Sequence, residues 1–193
     1  MHGSRSRKGM HTVLAALVIV LAPICLGVAY EQSIDCQIGR LVGMDTLGAM
    51  GLPSAHRMLE RTYGLPVKEY ALGIIEGIGD VSSIPVLIRQ FGYRGRWWVR
   101  CWNYNEELVA DSWRSTAAGA VKRFGPAAES YLRSSLSDPD KWVRYWSLVT
   151  LAELEGFEDW EMVRQLAGAD QSDVVRAQAR QILKNRTVAP GPV

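Results

Sequence analysis

Apolar residues recur every three or four positions along most of the chain after Ser54, with polar residues between them. This spacing places the apolar side chains on one face of a helix, whereas a half-buried strand needs alternation at every second position. The only dense run of β-branched residues lies near the N-terminus, within residues 12–29. The pattern therefore predicts an all-α fold for the rest of the chain.

One short phrase recurs along this helical region. Its four copies centre on an apolar residue followed by a basic one: Val67-Lys68, Trp113-Arg114, Val143-Arg144 and Val175-Arg176. The last two copies are 32 residues apart, and in each of them an Asp precedes the Val by five positions. Every copy also follows another short helical segment. The repeating unit is therefore a helix, a tight turn and a second helix, with four units expected within residues 53–185.

The phrase resembles the HEAT repeat, of the short HEAT-like kind that is also seen in phycobiliprotein lyases. The resemblance covers residues 53–185 and is strongest in the last two units; Trp113 stands where Val is usual. It implies a short right-handed α-solenoid of about four repeats with a concave face. It does not imply any one activity.

The basic residue of the phrase has two interpretations. Arg144 and Arg176 recur at the same place in the unit, and they can bond Asp138 and Asp170 across neighbouring turns to form a structural ladder. Alternatively, they are ordinary exposed charges, each contributing less than about 1 kcal/mol.

The first 29 residues have the layout of a secretory signal peptide. A basic start precedes the apolar stretch 12–29, and small residues at positions 27 and 29 mark a cleavage site before Tyr30. We therefore expect the rest to be exported, to the periplasm or the exterior. Alternatively, residues 12–29 stay as a membrane tether with the repeats outside the cytoplasm, or form a buried helix. Residues 30–52 are interpreted as a capping segment and 186–193 as a disordered tail.

The net charge changes when the leader is removed. The whole chain has 22 basic and 20 acidic residues, but residues 1–29 hold three of the basic ones and no acid. The remainder, with 19 basic and 20 acidic residues, carries a charge of −1. The overall charge therefore does not favour nucleic acid as a partner.

The insertion at residues 92–110 is the unusual segment, because the second phrase follows the first by 46 positions instead of about 30. Trp, Tyr and Arg are typical of interface hot spots, which predicts contact with a protein or an envelope polymer. The alternative is that the aromatic residues fold back onto the helices. The candidate partner-binding residues are Arg94, Arg96, Trp97, Trp98, Arg100, Trp102 and Tyr104.

Other chemistry is sparse after residue 29. Cys36 and Cys101 are expected to form a disulfide in an oxidising compartment, although two separate buried thiols are the alternative. His56 is the single histidine there, so no metal, cofactor or catalytic site is predicted. The residues favour an interaction module over an enzyme. The alternatives are a lyase-type accessory protein that holds a small molecule in its groove, and a structural, membrane-tethered domain.

Overall fold

The computed structural model describes residues 51–61, 65–95 and 106–188, and within these ranges the regular structure is entirely helical. The prediction of an all-α fold is confirmed for this part of the chain. The helices are α1 (Gly51–Glu60), α2 (Leu65–Ile78), α3 (Ile84–Arg89), α4 (Glu106–Lys122), α5 (Glu129–Ser135), α6 (Lys141–Ala152), α7 (Trp160–Ala169) and α8 (Asp173–Val188).

Local sequence explains where several of these helices begin and end. Asp140 and Asp159 cap α6 and α7, because their side chains accept hydrogen bonds from the N–H groups of Trp142 and Met162. Gly79 follows α2 with a φ of 68°, and its N–H donates to the carbonyl of Ile75. A positive φ of this kind ends a helix at little steric cost when the residue is glycine.

The helices pack as four consecutive pairs, which we number units 1 to 4 (α1–α2, α3–α4, α5–α6 and α7–α8). The second helices contact one another in chain order, from α2 to α4, α6 and α8. The first helices α1, α3 and α5 form a parallel series of contacts. The chain thus stacks one unit on the next, as expected when a single helix pair cannot bury its apolar face alone.

The recurring phrase lies at the same place in each second helix. Its apolar residue is buried in all four units: Val67, Trp113, Val143 and Val175. The residue four positions later is small and fully buried in every unit: Ala71, Ala117, Ser147 and Ala179. Because positions i and i+4 share a helix face, this stripe is where one second helix packs closely against the next.

Several predicted segments lie outside the described residues. These are the leader 1–29, almost all of the capping segment 30–52, and the cysteines Cys36 and Cys101. The start of α4 at Glu106 makes residues 106–110 of the predicted insertion helical, and α8 extends to Val188, three residues into the predicted tail. In the ranges that are described, no helix combines the length and the apolar character needed to cross a membrane.

Candidate partner-binding face

Arg144 forms a buried link between units 3 and 4. Its Nε and Nη2 atoms donate to the two carboxylate oxygens of Asp170, both at 2.9 Å, and both side chains are only 4% exposed. Its Nη1 atom donates to the backbone carbonyl of Asp138, 2.8 Å away. One arginine therefore holds the turn of its own unit and the carboxylate of the next unit, which is the fork geometry that bidentate pairing requires.

The two aspartates of the phrase also shape their own turns. Asp138 accepts a hydrogen bond from the N–H of Asp140, and Asp170 accepts one from the N–H of Ser172. Arg176 donates to the backbone carbonyl of Asp170, as Arg144 does to that of Asp138. Burial alone raises the pKa of Asp170, but the bonds from Arg144 and Ser172 outweigh it, so this pKa lies below its usual value.

Arg114, at the equivalent position in unit 2, has different partners. Its Nη1 atom donates to Glu107 at 2.7 Å and to Asp111 at 2.9 Å, and its Nε atom donates to the carbonyl of Tyr93 at 2.8 Å. The guanidinium also lies over the ring of Trp142, 4.4 Å from its centroid. Arg114 is fully buried, so this cluster joins the start of the insertion to α4 and α6.

Of the predicted partner-binding residues, Arg94 is the one that the structure describes. Its side chain is 76% exposed and donates to Asp140 at 3.0 Å. The insertion therefore begins beside the first turn of α6. The other six residues lie outside the described ranges: Arg96, Trp97, Trp98, Arg100, Trp102 and Tyr104. Their role in partner binding stays a prediction, as does the Cys36–Cys101 bond.

An aromatic ridge runs along α6 next to this point. The ring centroids of Trp142 and Tyr145 are 5.7 Å apart, and those of Tyr145 and Trp146 are 5.5 Å apart, both in edge-to-face geometry. All three side chains are half-buried and therefore still reach solvent. The Tyr145 hydroxyl donates to Gln178 of α8 at 3.3 Å, and burial raises the pKa of this tyrosine. The ridge is therefore held in place by α8 through Gln178 and by α4 through Arg114, which lies over the ring of Trp142.

The ridge belongs to a surface that spans three helices and carries no charge. We call it the charge-free face, and it comprises the solvent-accessible positions Ser112, Ser115, Thr116 and Gly119 of α4, Trp142, Tyr145, Trp146 and Val149 of α6, and Val174, Ala177, Gln178 and Gln181 of α8. These are the same four positions of the repeat in each unit. Because 22% of the chain is charged, twelve accessible positions without one charge form a distinct surface.

Charged residues surround this face at both ends of its helices. Glu107, Asp111 and Lys141 lie at the helix starts, and Lys122 and Glu153 form an ion pair of 3.2 Å where α4 and α6 end. An uncharged aromatic centre with a charged rim is the usual anatomy of a protein–protein interface.

Sequence reasoning missed this face because it looked for aromatic density in the insertion. The signal was nevertheless present: Trp142, Tyr145 and Trp146 have the i, i+3, i+4 spacing of one helix face. Aligning the three second helices by their phrase would also have shown that the flanking positions lack charge. Arg114 was missed as well, since its partners Glu107 and Asp111 belong to no repeated pattern.

Metal and nucleophile chemistry finds no support in the described residues. No group of three His, Cys, Asp or Glu side chains in these ranges could hold a metal ion. His56 lies 2.9 Å from the Ser83 hydroxyl, but Ser83 is fully buried, so a substrate has no access to this oxygen.

Comparison with known families gives one match, which covers part of the repeats. Residues 110–184 match the family model of HEAT repeats. Over this segment the chain is similar to HEAT repeats. The segment includes α6 and α7, most of α4 and α8, and all twelve positions of the charge-free face, so the resemblance seen in the sequence is confirmed there. No curated protein and no solved structure matches the chain.

Proposed function

We propose that this chain is a protein-interaction module that binds its partner on the charge-free face. HEAT repeats generally mediate protein–protein interaction, and the face lies wholly within the HEAT-repeat segment. The observation that carries the proposal is a central ridge of two Trp and one Tyr, in which the neighbouring solvent-accessible positions of the face are uncharged and the charged residues lie at its rim. Trp and Tyr dominate interface hot spots, because they bury a large area with few rotatable bonds.

The composition of the face also indicates the kind of partner. Ser112, Ser115, Thr116 and Gly119 of α4 are small and exposed, so a partner backbone can approach this helix closely beside the taller ridge of α6. A nucleic acid needs basic residues to neutralise its phosphates, and the face has none. A protein segment with uncharged side chains matches this surface better.

The proposed setting is outside the cytoplasm, and it is supported by the leader layout of residues 1–29. In this setting the repeats form a right-handed α-solenoid whose second helices line the concave side. The insertion enters at the rim of the face and adds its Arg and aromatic residues to the contact. Intact mass of the exported protein tests the setting: a chain that begins at Tyr30 is expected, whereas retention of residues 1–29 would contradict cleavage.

The binding proposal is tested by first capturing a partner and then adding charge to the face. A photo-crosslinking residue at Ser115 captures proteins that touch α4 in the host, and the captured protein is purified for affinity measurements. Thr116→Arg should then weaken binding at least about tenfold, because an unpaired charge would be buried in the interface. Thr116 is exposed, so the substitution leaves the helix core intact.

The matched control is Ser130→Arg, which adds the same charge at an exposed position of α5, in the row of first helices. This variant should bind normally. Equal losses from Thr116→Arg and Ser130→Arg, or crosslinks to an envelope polymer instead of a protein, would contradict the proposal.

A further inference from the structure

The charge-free face continues onto α2, where it meets a single carboxylate. The described side chains of α2 at the corresponding positions of the repeat are Glu69, Tyr70 and Gly73. Glu69 is exposed, and within the described residues its carboxylate has no hydrogen bond or ion pair. Glu69 is therefore the one charge among the described side chains at these positions of the four units.

Together, these positions form a strip that runs across the second helices. Along each helix the strip covers seven residue steps, from Ser112 to Gly119 in α4, which corresponds to about 10 Å. Across the helices it runs from α2 through α4 and α6 to α8, which contact one another in that order. Packed helices lie about 8–10 Å apart, so the strip is about 25–30 Å long. This shape favours a long, narrow occupant that lies across the helices.

The strip is low over α2 and α4 and tall over α6. An added Cβ at Gly73 or Gly119 would meet no neighbouring atom of the described chain within 4 Å, so open space lies above both glycines. The rings of Trp142, Tyr145 and Trp146 raise the surface over α6. A straight helix laid across α6 would be held away from the low part of the strip, whereas an extended chain can bend to follow it.

The polar groups of the strip also suit an extended chain. Such a chain leaves its N–H and C=O groups unpaired, while a helix pairs them internally. Ser112 and Ser115 of α4 bring hydroxyl groups to the strip, and Gln178 and Gln181 of α8 bring amides. These groups both donate and accept hydrogen bonds without adding charge, so a peptide backbone can find partners on both sides of the aromatic ridge.

We propose that the partner presents an extended segment of about eight or nine residues across units 1 to 4, at about 3.3 Å per residue. One basic residue of this segment pairs with Glu69, and uncharged residues cover α4, α6 and α8. Uncharged side chains suit the rest of the strip, because burying an unpaired charge there is costly. Glu69 is thus a specificity-determining residue that fixes the direction of the segment. This inference names the partner chemistry of the proposed function and rests on it.

The experiment selects phage-displayed random peptides of about ten residues on the native full-length protein and on its variants. Peptides on the strip are recognised because Thr116→Arg abolishes their binding. With the wild type they should be enriched in Lys or Arg at one end and uncharged elsewhere. Selection on Glu69→Lys should instead enrich Asp or Glu at that end, and a peptide selected on the wild type should bind this variant at least about tenfold more weakly.

The matched control is Glu158→Lys, which reverses another exposed carboxylate beside α7, the first helix of unit 4. It should leave the selected sequences and their affinities unchanged. Because Glu69 and Glu158 are both exposed, neither substitution disturbs the helix core.

Photo-crosslinking tests the direction of the segment. A benzophenone beside the basic end of a selected peptide should crosslink to α2, and one at the opposite end should crosslink to α8. Crosslinks from both ends to one helix, no enrichment of a basic residue, or equal effects of Glu69→Lys and Glu158→Lys would overturn the inference. A selection without any peptide that Thr116→Arg releases would also contradict it. In each case a host protein captured at Ser115 and released by Thr116→Arg would still support the proposed function, so the two failures are distinguishable.

Discussion

Units 2 and 3 use the basic position of the repeat differently. In unit 3, Arg144 joins two units through the carboxylate of Asp170. In unit 2, Arg114 binds the insertion ends, and in unit 1, Lys68 donates to Gln90 at 3.0 Å and lies 5.7 Å from the ring centroid of Tyr93. One position of the helix therefore joins unit 3 to unit 4 through Arg144, whereas in unit 2 it contacts the insertion ends through Arg114.

The difference teaches how a repeat accommodates an irregular segment. The apolar stripe is kept in every unit, since the four small residues at its centre are all fully buried. The neighbouring basic residue is free to change partners, because its long side chain can reach acceptors on several elements. Stacking thus rests mainly on the stripe, and the polar position determines what each junction holds.

Loss of the ion pair between Arg144 and Asp170 should have the largest effect on the free energy of unfolding. Asp170→Asn leaves the charge of Arg144 buried without its counterion, which costs about 3–5 kcal/mol for such pairs. The matched variant Asp173→Asn removes a carboxylate that is 92% exposed and also paired to an arginine, and should cost less than about 1 kcal/mol. Urea denaturation followed by circular dichroism measures both free energies of unfolding. Similar losses in the two variants would mean that the buried pair stabilises the junction of units 3 and 4 no more than an exposed pair does.

Enlarging the small residues of the stripe should have the next largest effect. Ala117→Leu and Ala179→Leu should each cost about 1–3 kcal/mol, since added methyl groups overpack a close helix contact. Ala117 should be the more sensitive, because α4 packs between two second helices, whereas α8 packs against one second helix, α6, among the described elements. Ala177→Leu, at an exposed position of α8, is the control and should stay within about 0.5 kcal/mol. Equal costs for all three would contradict the packing described for the stripe.

Two substitutions of Asp140 distinguish its role as the N-cap of α6 from its ion pair with Arg94. Asp140→Ala removes the hydrogen bond to the N–H of Trp142 and should cost about 1 kcal/mol. Asp140→Asn keeps a capping oxygen and loses only the exposed pair with Arg94, so it should cost less than half as much. Thermal and urea unfolding of the two variants would show no difference if the Arg94 pair, and not the cap, were the important contact.

Lowering the pH slightly should have the smallest effect on the free energy of unfolding, and this effect should come from His56 in unit 1. Desolvation lowers the pKa of His56 from 6.5, with Glu60 and Asp80 acting against this shift and Arg89 adding to it. The folded state thus favours the neutral ring. The contribution of His56 to the free energy of unfolding is therefore complete above pH 6.5, and it declines as the pH falls through the lowered pKa of the folded state. Urea denaturation at several pH values between 7.5 and 5.5 measures this decline in the free energy of unfolding. His56→Gln should remove it, and the same slope in this variant would assign it to other groups.

Much of the fold could be predicted from the periodicity of the chain. Val143, Ala179 and their equivalents were expected on the buried face, because the i, i+4 spacing is a local property of a helix. The terminal segments 1–29 and 30–52, the right-handed superhelix and the disulfide stay predictions. The boundary of the insertion was harder to predict, since Glu106 and Glu107 carry no apolar signal to mark the start of α4.

The partners of the repeated polar residues were only partly foreseen. A ladder between Arg144 and Asp170 was one of two interpretations, and the structure brings these two side chains together. Arg144 also bonds Asp138, through its backbone carbonyl, while the Asp138 side chain accepts from the N–H of Asp140. Sequence spacing cannot separate these cases, because side-chain and backbone acceptors of one residue lie within the reach of the same guanidinium.

The sequence by itself determined that this protein is helical, that its units repeat about every 30 residues and that one stripe of each second helix is buried. Each of these follows from short-range spacing, which a single helix already realises. Only the tertiary structure decided that Trp142, Tyr145 and Trp146 share an uncharged face with α4 and α8, and that Arg114 holds the insertion. Those features depend on how neighbouring helices align, and this alignment results from packing between residues that are distant in the chain.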